Sequence, residues 1–166
     1  MTKDDKEPTF LNLLSTVDVF MGLEDHELEH MQRTAQEVSL PSDTIIFRQG
    51  DKGDKMYLVI QGIIEIWKSE GHDLKGSRLA RLKQGEIFGE MALFDKEPRS
   101  ATAVTSIARE TKIWVWDEKD LIKLIQEHPQ VGTKLLTNFL KKVSTRLRVA
   151  NEAIHTLLRS NQYIGL

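Results

Sequence analysis

The sequence contains no cysteine, which excludes disulfides, cysteine zinc sites and thiol catalysis and fits a reducing compartment. It has no run approaching about 18 apolar residues, so no segment reads as a membrane-spanning helix. The first ten residues, MTKDDKEPTF, are charged and lack an apolar core, so they do not read as a signal peptide. Charge of one sign is not in excess. A net charge of -2 gives no bulk attraction for nucleic acid or an anionic membrane. Internal repeats and low-complexity segments are also missing. The expected location is cytoplasmic.

What is present is ordinary globular material. With 40% hydrophobic and 29% charged residues in 166, the chain can bury a core and form one domain with an appended element. Residues 1–9 read as a flexible tail. Leu11, Leu13 and Leu14 suggest a short helical turn, and Leu28, Met31 and Ala35 share one helical stripe. From about Glu37 the period changes. The segments TIIFR, MYLVI, GIIEIW, SRLARL, EIF, ATAVTS and TKIWVW are short and rich in branched and aromatic residues. Seven of the ten glycines fall between Gly50 and Gly89, where reversals are needed. This spacing predicts an antiparallel sandwich or roll rather than a parallel sheet with crossover helices. Helix returns at Asp117, with Leu121, Ile122, Leu124 and Ile125 on its apolar face, until Pro129. A long helix is expected from about Val131 to Ser160.

One stretch combines chemistry with packing: FGEMALFDKEPRSAT, Phe88 to Thr102. Gly89, lacking a Cβ, allows close approach of a ligand to the backbone. Met91 to Phe94 fits one helical turn, whose first N–H groups have no partner inside the helix. Pro98 fixes the approach to Arg99, whose planar fork suits phosphate. Ser100 adds a hydroxyl donor and Ala101 a backbone N–H. Glu90, when ionised, only accepts and calls for hydroxyls or amines. Together they ask for an anionic phosphate beside a free hydroxyl, as in a ribose phosphate. The plainer alternative is a surface ion pair between Glu90 and Arg99, which would stabilise by about 0–1 kcal/mol.

FGEMAL followed by PRSAT closely resembles the phosphate-binding cassette of cyclic nucleotide-binding domains, of the type found in the catabolite activator protein and the regulatory subunit of cAMP-dependent kinase. QGDKGDKMYLVIQGIIEIW resembles the family's second block, VFMGLEDHELEHM its opening helix, and LIQEHPQVGTKLL its hinge helix. The likeness covers about residues 11–160 in order; PSDT at 41–44 lacks a glycine common in that turn. The resemblance implies a mainly β fold with flanking helices: an eight-stranded antiparallel β-roll, jelly-roll-like, over about residues 10–130. A long C-terminal lid or dimerisation helix would follow at 131–166. It also implies roles. Glu90 would accept from the ribose 2′-hydroxyl, and Gly89, Met91 and Ala92 would present backbone near the sugar and phosphate. Arg99 and Ser100, with the Ala101 N–H, would bind the cyclic phosphate. The ligand is expected to be cAMP rather than cGMP; Ser100 can serve a shared phosphate contact or a guanine contact and does not discriminate. In the family the residue about seventeen positions past the hinge proline caps the purine, which here is Arg146, with Arg148 as competitor.

Other patterns compete. His26-Glu27-Leu28-Glu29-His30 spells H-E-x-x-H, a zinc protease pattern, but both histidines fall opposite the Leu28/Met31/Ala35 stripe and are expected to face solvent. A metal-binding jelly roll needs histidines on strands, and only His72 lies near them, in a polar loop where a haem-ligand role is the minor reading. No metal site and no catalytic machinery are expected, so the chain is not read as an enzyme.

In the long helix, Leu136, Leu140, Val143, Leu147, Ala150, Ile154 and Leu157 form a heptad seam, with Asn161 next in register. It suits a parallel homodimer; its first half is expected to pack on the roll as well. Lys134, Lys141, Lys142, Arg146, Arg148 and Arg159 face Glu152 alone, a basic surface read as solvated. The reading is a cyclic-nucleotide sensor whose C-terminal helix, hinged near His128-Pro129, closes over the base and regulates an effector protein in trans. After Ser160 only six residues remain, so a DNA-binding domain is not expected in this chain, nor is a channel. The alternative is a dimerising or docking scaffold of the same fold that binds no ligand.

Overall fold

The computed structural model describes residues 10–69, 76–108 and 110–163. The predicted tail, His72 and the Asn161 side chain lie outside the described residues.

Eight strands form two four-stranded sheets. They are β1 (Gln36–Leu40), β2 (Ile45–Phe47), β3 (Lys55–Gln61), β4 (Ile64–Lys68), β5 (Ser77–Leu82), β6 (Ile87–Phe88), β7 (Thr102–Thr105) and β8 (Thr111–Asp117). One sheet runs β1-β8-β3-β6 and the other β2-β7-β4-β5, with antiparallel pairing throughout. All seven predicted strand segments are strands. The eighth, β1, is not legible as a strand in the sequence, because QEVSL carries only Val38 and its final Leu40 among polar residues.

The first sheet lies between two apolar cores, and its sequence follows from that. In β3, Met56 and Leu58 join the helix-side core, while Tyr57 and Val59 face the interior between the sheets. In β8, Trp114 and Trp116 face the helices, and Ile113 and Val115 face the roll. Alternation still sorts the side chains, but both sets are apolar, so the strands read as continuous hydrophobic runs.

Helices close one side: α1 (Phe10–Ser15), a 3₁₀ turn (Asp18–Phe20), α2 (Asp25–Arg33), α4 (Glu118–Glu127) and α5 (Pro129–Tyr163); a one-turn helix, α3 (Met91–Asp95), follows β6. A reciprocal capping box between Glu24 and Glu27 starts α2. Leu28 and Met31 are buried, and the Trp116 indole N–H donates to the Met31 carbonyl at 2.8 Å. Pro129 sits at the first position of α5, where its missing N–H costs nothing. A single non-helical residue, His128 (φ −128°, ψ 73°), separates α4 from α5. Its N–H donates to Leu124 and its carbonyl accepts from Gly132, so it belongs to both ladders.

The first three turns of α5 are anchored. Val131, Leu135 and Phe139 are buried. Asn138 Nδ2 donates to the carbonyls of Val19 (3.1 Å) and Met21 (2.8 Å), and Lys134 Nζ meets Glu27 at 2.6 Å. The heptad seam is a different face. Leu136 and Leu140 are 44% and 67% exposed, so the expectation that the first half of the seam also packs on the roll is corrected. The packing face is displaced by one residue from the seam.

Candidate functional site

Glu90, Gly89 and Arg99 come together because β6 ends in a sharp turn and the chain returns beside it. Gly89 has φ +73°, and a Cβ there would come within 2.8 Å of Arg99 Nη1 and 3.0 Å of Tyr57. After it, α3 makes its single turn, ends at Lys96 in the left-handed conformation, and Pro98-Arg99 leads into β7. The returning strand is clipped by backbone on both sides. Arg99 N–H donates to Asp51 and Gly50 N–H donates to Arg99, each at 2.8 Å. The QGDKGD block thus holds the arginine loop. Gly53 lies beneath it: a Cβ there would overlap Ala92 and sit 3.1 Å from the Arg99 guanidinium.

Arg99 is 4% exposed and makes no ion pair among the described residues. Its Nη1 donates to the Gly89 carbonyl at 2.6 Å and its Nη2 to the Lys55 carbonyl at 2.9 Å. The guanidinium stacks 4.3 Å above the Phe47 ring. Its Nε is buried with no hydrogen-bond partner. A buried cation held by carbonyls, with a donor left over, is incomplete without an anion. Burial pushes the nearby Tyr57 hydroxyl up, against the pull of Arg99 and Lys55, so Tyr57 stays neutral.

Glu90, 5% exposed, does not pair with Arg99. Its Oε1 accepts from Arg146 Nη1 of α5 at 2.6 Å. The surface-pair reading of Glu90 and Arg99 is therefore set aside: each has a different partner. Arg146 reaches the cleft from α5, as expected of the lid residue, but is held there by the Glu90 carboxylate. Arg148, its competitor, is exposed and does not line the cleft.

All eight residues singled out from the sequence (Gly89, Glu90, Met91, Ala92, Arg99, Ser100, Ala101 and Arg146) line one cleft of about 510 Å³. Ser100 is exposed and its carbonyl accepts from Lys68 Nζ at 2.8 Å. The opposite wall is apolar: Phe47, Ile66, Leu79, Ala80 and Leu82, which the motif did not reveal. They come from strands β2, β4 and β5, and strand pairing alone brings them to the cassette.

The H-E-x-x-H pattern is taken apart by the fold. Glu27 is buried and accepts from its capping partner's backbone and from Lys134. His26 is exposed, but His30 is half-buried and stacks on His128, correcting the expectation that both face solvent. Among the described residues no group of three His, Asp or Glu side chains is placed to hold a metal ion.

Comparison with known proteins adds an independent line. The sequence profile described as the cyclic nucleotide-binding domain matches residues 37–128. The chain is 26% identical over 146 residues to a CRP-like cAMP-activated global transcriptional regulator of Mycobacterium tuberculosis, covering 88% of this chain and 62% of the regulator. It is 33% identical over 135 residues to the cyclic AMP receptor protein of Thermus thermophilus, covering 80% and 58%. The chain thus spans about three fifths of the length of these two relatives. A solved cyclic nucleotide-binding domain from Methylobacillus flagellatus superposes with TM-score 0.75 at 27% identity, covering 87% of this chain and 80% of that one.

Proposed function

Because the chain belongs to the cyclic nucleotide-binding domain family, we propose that its cleft binds a cyclic nucleotide, cAMP in preference to cGMP, and that α5 relays binding to a partner protein. The observation that carries this is Arg99: a buried guanidinium with no counter-ion among the described residues and an unpartnered Nε, lining the cleft. A singly charged cyclic phosphate supplies that counter-ion, with the Ser100 hydroxyl and the Ala101 N–H as further donors. The α3 amides at Met91 and Ala92 lie beside it, in a helix turn whose first N–H groups lack helical partners. Glu90 has one oxygen on Arg146 and a second to accept from the ribose 2′-hydroxyl. The purine lies against the apolar wall of β4 and β5. Preference for adenine is supported by the cAMP in the relatives' names.

α5 is the moving part of this proposal, because Arg146 reaches the cleft from it. Its exposed seam, with Leu140, Val143, Leu147 and Ile154 each more than half exposed, is proposed to pair with a second copy. Calorimetry with cAMP, cGMP and linear AMP tests the reading. Saturable binding of a cyclic nucleotide to the wild-type chain, abolished in Arg99→Ala, is the expected result. Absence of binding to all three nucleotides overturns it in favour of a docking scaffold.

A further inference from the structure

Two imidazoles meet where α5 begins. His30 on α2 and His128 at the α4–α5 junction stack with ring centroids 3.9 Å apart and planes 31° apart. Neither belongs to the nucleotide cleft. His128 is the one residue between the two helices and takes part in both backbone ladders. We propose that the His30–His128 stack is a proton-sensitive clasp, which holds α2 against the α4–α5 junction when neutral and releases it in acid. The function it regulates is the seating of α5, independently of what the cleft binds.

Stacking at this distance is an apolar contact between neutral rings. Two imidazolium rings at the same separation repel, and no counter-ion lies between them. Among the described residues, no carboxylate facing the stack is ion-paired with either ring. On α2 these are His26, Glu29 and Arg33, with Glu29 paired to Arg33 at 3.6 Å. Glu27 is taken by Lys134 of α5. From α4 come Asp120, Lys123 and Glu127, and Lys123 lies 3.9 Å from Glu127. Two small clefts, of about 160 and 250 Å³, are lined by His30 and His128 on either side, so solvent protons reach both faces.

The direction of titration agrees. Burial first, then His128, Arg33 and His26 hold the His30 pKa below its ordinary 6.5, against Glu29. A histidine that binds protons less well folded than unfolded favours the closed contact above 6.5. That contribution is lost as pH falls from 6.5 through the lower folded value.

The test uses the whole chain without ligand, so its outcome is separate from that of nucleotide binding. Imidazole resonances are followed by NMR across the acid range in wild type and His128→Gln. His30 is expected to titrate at lower pH in wild type than in the variant; equal midpoints overturn the clasp. Amide exchange at Gly132 and its neighbours gives a second reading. Corrected for intrinsic rates, opening is expected to rise on going from about pH 7.5 to about 5.5 in wild type, by up to about tenfold, and to stay flat in His30→Gln. An equal rise in both chains overturns the proposal.

Discussion

Arg99 is held before any ligand arrives, by two carbonyls and an aromatic face. Arg99→Lys keeps the charge but loses the fork that meets Gly89 and Lys55 together, and is expected to weaken cyclic-nucleotide affinity by more than about tenfold in calorimetry. Gly53→Ala tests the floor of the site. Its methyl would overlap Ala92 and crowd the guanidinium, so chemical denaturation is expected to register a loss of about 1–3 kcal/mol. Seven of the eight cleft residues chosen from the sequence lie within a thirteen-residue window, Gly89 to Ala101, and that closeness made them legible. Phe47, Gly53 and the Lys55 carbonyl were not, because they reach Arg99 only through sheet register and a backbone clip forty-odd positions away in sequence. Arg146 was placed by counting from Pro129, but its carboxylate partner depends on how α5 crosses the cleft.

At the level of elements, α2 and α5 are joined by the Glu27–Lys134 pair. Burial works to raise the Glu27 pKa, but the Lys134 ammonium and the Glu24 N–H outweigh it and hold the carboxyl below its ordinary 4.5. A carboxyl depressed on folding stabilises above 4.5, and the contribution disappears as pH falls through the folded value. Acid unfolding of Glu27→Gln is therefore expected to show a shallower loss of stability below about pH 4.5 than wild type. Lys134→Ala leaves the buried carboxylate unpaired. It is expected to lose about 1–3 kcal/mol by denaturation at neutral pH, the lysine being 35% exposed and its pairing partly screened. The sequence predicted α5 well but not which face packs. Val131, Leu135 and Phe139 form a stripe beside Leu136, Leu140 and Val143, and two adjacent apolar stripes cannot be ranked by periodicity. β1 was missed for the opposite reason, since it has too little apolar pattern to announce itself.

For the molecule as a whole, the exposed seam is the face proposed to join the pocket to a second copy. Leu147→Glu places a charge at the middle of the seam and is expected to convert a dimer to a monomer in analytical ultracentrifugation. A wild-type chain that sediments as a monomer at high concentration overturns the assignment. α5, fixed through its first three turns and described to Tyr163, reaches about 36 Å past Phe139 at that residue. Arg146 is about 10 Å along that arm. A bend of the helix beyond Phe139 that moved Arg146 by 1 Å would therefore move the tip by roughly 3 Å. Under the proposed relay, shortening the arm is expected to leave cyclic-nucleotide binding in place and to take away the stroke offered to a partner.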